Sequence, residues 1–264
     1  MLDQHRISRA LAGHPFGKNL VFLDHTTSTN DHASALAGEG HPDATVVVAE
    51  TQSAGRGRRG STWVAPAGTS LLLSLLLRPS VAPQFYTRLT HLAALALGDA
   101  VSKTCDLETT VKWPNDLYHH GKKLAGILVE ASATDRDNHH AIVGIGLNVH
   151  TTTADLPHDL VDTATSLHIA TGGKPPSRET TLVELLRAFS HHYPANLQDT
   201  AFQASLTTLR NRSHLIGHPI TASVDGTTIN GTARDLGPAG ELLITLPDGT
   251  PHILTNADLV RRTT

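Results

Sequence analysis

Gly55-Arg56-Gly57-Arg58-Arg59-Gly60 comes shortly after a buried-strand pattern, Ala44-Thr45-Val46-Val47-Val48-Ala49, and the reading of this junction decides the fold. Glycines let the backbone approach a ligand closely, and arginines are permanently charged, fork-shaped donors suited to a phosphate or carboxylate. The spacing is G-x-G-x-x-G, yet a dinucleotide-binding turn must open a helix. Here Ser61-Thr62-Trp63-Val64-Ala65-Pro66-Ala67-Gly68 brings a proline and a glycine instead. A P-loop is excluded too, because Ser61 stands where the phosphate-binding lysine is required. What remains is an anion-holding loop outside both nucleotide folds, or a solvated basic turn.

Working outward, 264 residues with 39% hydrophobic content suffice for one large domain plus a small one. Acidic residues (24) outnumber basic ones (21), so a general nucleic-acid-binding surface is not expected. The single cysteine, Cys105, excludes an internal disulfide and multi-thiolate metal sites, and reads as a small apolar residue in a reducing cytoplasm. Met1-Leu2-Asp3-Gln4-His5-Arg6 has no apolar core of a secretory signal, and the run Leu71 to Leu77, broken by Ser74, is far too short to span a membrane. The 18 histidines contain no H-E-x-x-H spacing, so a histidine metal site is not expected.

In chain order, Met1 to Leu20 is too short for an independent module, and Val21-Phe22-Leu23 reads as a strand. Ser28 and Asp31 form a capping-box pattern for a short helix over His32 to Ala37, stopped by Gly38 and Gly40. Strands are expected at Thr45 to Ala49 and Ser70 to Leu77, then an amphipathic helix from Gln84 to Lys103. Thr110 to Trp113, broken by Pro114, and Lys123 to Glu130 suggest a hairpin, followed by a buried strand from Ala141 to Val149 and a helix from Arg178 to Leu197. After Arg212 the composition turns to short alternating runs divided by Asp225-Gly226, Gly237-Pro238 and Asp248-Gly249, the pattern of a small all-β barrel.

With these pieces in order, the chain resembles biotin protein ligases. The resemblance is carried by Ser28-Thr29-Asn30, Gln52 with the Gly55 to Gly60 loop and Trp63, Lys112-Trp113-Pro114-Asn115-Asp116, Lys123-Leu124-Ala125-Gly126-Ile127-Leu128, and Gly144-Ile145-Gly146-Leu147-Asn148. It implies an α+β fold related to class II synthetases, a mixed sheet with flanking helices over residues 1–212, and an SH3-like barrel over 213–264. It also implies that biotin is activated by ATP, with Mg²⁺, to biotinyl-5′-AMP and passed to one lysine of a biotin carboxyl carrier protein or domain. The resemblance points to the monofunctional type, with no operator DNA, no membrane and a possible homodimer.

Forming the mixed anhydride brings a carboxylate to an α-phosphate, so cations must neutralise the approach, and the resemblance places Lys123 and Arg58 there. Biotin's ureido ring needs matched polar partners once buried. The resemblance implies Ser28, Thr29, Asn30, Gln52 and Arg56 for biotin, with Lys123 and Leu128, and a slot lined by Gly55, Gly144 and Gly146. On the adenylate side it implies Arg58, Arg59, Lys112, Asn115, Asp116 and Asn148, with Asp116 the candidate Mg²⁺ ligand. Residues 150–162 lie where the family has a loop that orders over the adenylate; a plain surface loop is the alternative. Two competing readings stand beside this one: a lipoate or octanoate ligase, and a nucleic-acid-binding regulator.

Overall fold

The computed structural model describes residues 1–132, 139–193 and 197–263. Its larger part is a mixed seven-stranded sheet in the order β1 (Asn19–Leu23), β2 (Thr45–Ala49), β3 (Ser70–Leu77), β7 (His140–Asn148), β6 (Lys122–Ser132), β5 (Asp116–His119), β4 (Thr110–Lys112). Only β1 and β2 pair in parallel among these strands; the other neighbours are antiparallel. β2 and β3 are near-continuous apolar runs because both of their faces are covered.

On one face lies α2 (Thr29–Gly38), which packs Ala33, Leu36 and Ala37 onto Val47, Leu76 and Ile142. The other face carries α3 (Arg88–Cys105) and α5 (Arg178–His192). The apolar stripe of α3 packs with Leu71, Leu73, Leu75 and Leu77, every second residue of β3, in the main core. α1 (Gln4–Ala10), α4 (Leu167–Ala170) and α6 (Asp199–Asn211) complete the α-helices of the described residues. α1 lies in the segment read as too short for an independent module; Asp3 caps it by accepting from Arg6 N at 2.9 Å, and Ile7 and Leu11 reach the core. The helix expected over 178–197 ends at His192, and residues 194–196 lie outside the described residues. The expected hairpin is a three-stranded meander, because β5 intervenes between β4 and β6.

The C-terminal unit is a separate five-stranded sheet, ordered β11 (Pro251–Leu254), β10 (Leu242–Thr245), β9 (Thr227–Leu236), β8 (Pro219–Val224), β12 (Leu259–Arg262). β12 pairs with β8, and β11 pairs with β10, but no pairing joins β11 to β12 among the described residues. The sheet is therefore open, where a closed barrel was expected. The chain enters this unit alongside β4, with Val111 N donating to Arg212 O at 2.7 Å and His214 N to Val111 O at 2.8 Å.

The two units lock through the turn before β10. Trp113 Nε1 donates to Gly240 O at 2.9 Å, which makes Trp113 a core aromatic. Gly240 has φ +92°, and a Cβ there would come within 2.2 Å of His91 Nε2, so both conformation and space require glycine. His91 is buried, and its pKa is pushed down from 6.5 to about 4 by burial, against the raising effects of Gly240's backbone and Glu241. Above pH 6.5 the group is neutral in folded and unfolded chains alike and contributes no pH dependence. Below that value the unfolded chain takes up a proton that the folded chain refuses until about pH 4, so stability falls with pH across this window. His91 alone should cost about 2 kcal/mol between pH 7 and pH 5. Urea midpoints at the two pH values check this, and His91→Gln should flatten that part of the slope.

Candidate active site

The α2 face of the central sheet is polar where β3 passes under the start of the helix. Ser74, the one interruption in the leucine run of β3, is fully buried and donates in reach of Thr29 Oγ1 (2.8 Å) and Asn30 Oδ1 (2.7 Å). Asn30 Nδ2 in turn donates to Glu130 Oε2 at 2.6 Å. The capping box expected at Ser28 is absent: Ser28 occupies the N-cap position without a side-chain cap. Gln52 does that work from the next strand's end, its Oε1 accepting from Thr29 N (2.7 Å) and Thr29 Oγ1 (2.9 Å). A helix start capped from a distance leaves the Ser28 hydroxyl free of capping duty beside the cavity that it lines.

The glycine-arginine loop is a tight hairpin. Trp63 N donates to Gly55 O at 2.9 Å and Gly57 N to Ser61 O at 2.7 Å. A Cβ at Gly55 would fall 2.6 Å from Trp63 O, and one at Gly57 would fall 2.4 Å from Ser61 Oγ. These two glycines thus serve the close approach of the hairpin's own strands. The arginines diverge. Arg56 pairs with Asp31 (2.5 Å) and Glu130 (3.0 Å), which raises its pKa against the opposing effect of burial and ties the loop to α2 and β6. Its guanidinium is held by carboxylates, although the residue lines the slot. Arg59, at φ +53°, pairs with Asp258 and Asp225 of the C-terminal unit, away from the slot. Arg58 is half-buried, donates to Ala257 O at 3.2 Å, and has its pKa lowered first by burial and then by Arg59, with Asp116 opposing.

The slot itself is bounded by Thr29, Asn30, Gln52, Leu128, Gly144 and Gly146, together with Ser28, Arg56 and Asn115. Its free volume is only about 40 Å³. That is room for about one water, because the Trp63 indole fills the floor. A Cβ at Gly146 would lie 2.5 Å from Trp63 Cε2 and one at Gly126 would lie 3.0 Å from Trp63 Cζ3. Trp63 Nε1 is buried with no hydrogen-bond partner among the described residues. Gly144 has a different neighbour, since a Cβ there would meet Asn30 Oδ1 at 2.2 Å. Asn30 is pinned by Ser74 and Glu130 and cannot yield cheaply, so Gly144→Ala should destabilise the protein by about 1–3 kcal/mol. Gly38→Ala, where a Cβ meets nothing within 4 Å, is the control in urea unfolding.

Beyond the slot lies a charged cluster whose geometry depends on a β-bulge. β5 and β6 pair Leu117 with Ala125 and then Tyr118 with Lys123, skipping Leu124. Leu124 and Ala125 are both fully buried in the core, so Lys123 turns to the opposite, ligand-facing side. There Lys123 Nζ lies 2.7 Å from Asp116 Oδ1 and 5.6 Å from the centroid of Trp63. The contact is a charge pair off hydrogen-bond geometry, for Asp116 Oδ1 has no hydrogen-bond partner among the described residues. Lys112 donates to Tyr118 Oη at 3.0 Å, and burial lowers its pKa against the pull of Asp116. Among the described residues no three His, Cys, Asp or Glu side chains form a metal cage, and the expected metal ligand Asp116 is engaged by Lys123.

Asn115 closes the edge of β6 beyond the end of β5, accepting from Ile127 N at 3.0 Å and donating from Nδ2 to Ile127 O at 2.8 Å. Asn115, Ile127 and Leu128 also border a second cavity of about 470 Å³, which reaches Arg58 and the C-terminal unit. Asn148 does not line the slot; Ser70 Oγ donates to its Oδ1 at 3.3 Å and its Nδ2 donates to Thr165 O at 3.0 Å. The 150–162 segment forms two short 3₁₀ turns and then runs beside Lys123, with Lys123 N donating to Thr163 O at 2.7 Å.

Residues 22–148 match the biotin/lipoate A/B protein ligase family. The chain is 33% identical over 252 residues to the bifunctional ligase/repressor BirA of Bacillus spizizenii, covering 96% of this chain and 77% of that protein. It is also 33% identical over 270 residues to the biotin–[acetyl-CoA-carboxylase] ligase of Mycobacterium tuberculosis, covering 98% and 95%. This chain belongs to the biotin/lipoate ligase family. The biotin protein ligase of Aquifex aeolicus, solved with biotin and ATP, superposes with a TM-score of 0.81 at 28% identity, over 93% of this chain and 100% of that one.

Among the residues expected from the ligase resemblance, the slot gathers Ser28, Thr29, Asn30, Gln52, Arg56, Leu128, Gly144 and Gly146, while Gly55 shapes the hairpin beside it. Sequence reasoning did not assign Trp63, Gly126, Tyr118 or Glu130 to the site. Trp63 had a signal in its place just after the arginine loop. Glu130 had none, because its partners Asn30 and Arg56 are distant in the chain, and Tyr118 had none because the bulge that sets it opposite Lys123 carries no local pattern.

Proposed function

We propose that this ligase-family chain is an ATP-dependent biotin protein ligase acting on the lysine of a biotin carboxyl carrier domain. The observation that carries the reading is that Trp63, which lines the slot with the polar set Ser28, Thr29, Asn30 and Gln52, has Lys123 Nζ 5.6 Å from its ring, with Asp116 and Lys112 clustered beyond. A planar cyclic urea needs the polar set and an anionic carboxylate meeting a triphosphate needs the charged cluster. A biotin carboxylate oxygen attacks the α-phosphorus of ATP, pyrophosphate leaves, and Lys123 with Arg58 neutralises the meeting anions. The carrier lysine's amine then attacks the acyl carbon, an amide forms and AMP departs. Entry of the bicycle moves Trp63 off Gly126 and Gly146. Mg²⁺ comes with ATP, held chiefly by its phosphates, with Asp116 as the carboxylate at hand.

The same reading takes residues 1–212 as the catalytic unit, the five-stranded terminal sheet as the SH3-like module of the family, and the cytoplasm as the place of action. Independence from operator DNA belongs to it as well, and a homodimer is compatible with it. Against nucleic-acid binding through the arginine loop, Arg56 and Arg59 are already paired with carboxylates. Lipoate has no ureido group to match the polar set. Biotin and lipoate compared in ATP–pyrophosphate exchange decide the matter: biotin alone should support exchange, and exchange with lipoate alone would sink the reading.

A further inference from the structure

Lys112 and Asp116 are directly opposed across β4 and β5. Opposed residues of an antiparallel pair have Cβ atoms about 4.5–5.5 Å apart, so an ion pair between this lysine and this carboxylate is the expected contact. It is not made. Among the described residues Lys112 pairs with no carboxylate; its ammonium donates to Tyr118 Oη at 3.0 Å and lies 5.0 Å from that ring's centroid. Asp116 is thereby left to Lys123 at 2.7 Å. Tyr118 is itself opposed to Lys123 across the bulged pairing, and its ring packs against His214 with centroids 5.1 Å apart. The phenol therefore stands between two lysines and next to the carboxylate both would otherwise share.

We propose that Tyr118 is a positioning residue for adenylate formation: it holds the Lys112 ammonium off Asp116, so that Lys123 keeps the carboxylate and Lys112 stays available to a phosphate. The proposal rests on the ligase reading for its chemistry, while the contact itself does not. The charged and titratable groups facing Lys112 are Asp116, Tyr118, Arg261 and His214. His214 adds no charge near neutrality, because burial, Arg262 and Lys112 push its pKa down to about 4. The ammonium's one close polar partner in this set is the phenol oxygen.

Tyr118→Phe keeps the ring, its packing on His214 and its face toward Lys112, and removes only the acceptor. In biotin-dependent ATP–pyrophosphate exchange the variant should raise KM for MgATP about fivefold, the size of one lost hydrogen bond, with KM for biotin unchanged. In a Lys112→Gln background the same substitution should add nothing. A second readout needs no catalysis: nitrogen NMR of labelled lysine side chains in the ligand-free protein should show Lys112 titrating higher in Tyr118→Phe, because the released ammonium then pairs with the opposed Asp116 carboxylate. An unchanged or lowered Lys112 titration, or additive effects in the double variant, would overturn the proposal. A shifted titration in a wild-type background that exchanges no pyrophosphate with biotin would leave the contact standing and refute the ligase reading instead.

Discussion

Lys123→Ala should lower biotin-dependent ATP–pyrophosphate exchange by roughly a hundredfold to a thousandfold, equivalent to about 2.7–4 kcal/mol of transition-state stabilisation. Its ammonium faces the slot beside Asp116 and Trp63, while Leu124 and Ala125 next to it carry the core contacts, so the substitution removes charge without opening the interior. Circular dichroism and the urea midpoint should therefore stay close to wild type. Lys122→Ala is the matched control, because Lys122 Nζ donates to Val161 O at 3.0 Å and takes no part in the cluster. Exchange within a few-fold of wild type in Lys123→Ala would refute its assignment.

Arg58→Gly should act on retention of the adenylate more than on its synthesis. Arg58 fastens the tip of the hairpin to Ala257 O, and it borders the larger cavity that joins the slot. Removing a charge-assisted bond of this kind is worth about 1.5–3 kcal/mol, or roughly tenfold to a hundredfold in the rate at which a held ligand escapes. Escaped biotinyl-AMP acylates nearby amines without selection. A streptavidin blot of an added non-carrier protein, incubated with the variant, biotin and ATP, should show labelling that the wild type does not give. Unchanged selectivity together with unchanged adenylate release would return Arg58 to a purely structural tie.

The elements legible in the sequence were those set by local pattern. The leucine run of β3 and the stripe of α3 announce themselves by periodicity, and Ser74 marks the polar break under α2. What the sequence concealed was decided by partners far along the chain. Ser28 and Asp31 spell a capping box, yet the cap comes from Gln52. The arginine loop looks like a free anion cradle, yet Asp31, Glu130 and Asp258 claim two of its three arginines. The C-terminal alternation fits a barrel, but alternation is blind to whether the first and last strands of a sheet meet. Strict alternation along β6 would place Lys122 on the face of Gly126 and Leu128; only family resemblance favoured Lys123, and the bulge supplies the physical reason.

That bulge also separates two properties usually entangled in a strand. A regular ladder makes each side chain's direction follow from its count along the chain, so one residue gained or lost inverts everything beyond it. β6 already contains the extra residue, Leu124, and spends it inside the core. A chain shortened at Leu124 would restore simple counting and still send Lys123 to the ligand side; what it would forfeit is buried leucine volume. Length variation at this spot is thus a matter of fold stability, whereas the same change placed between Ala125 and Leu128 would turn the cation and the glycine floor against each other.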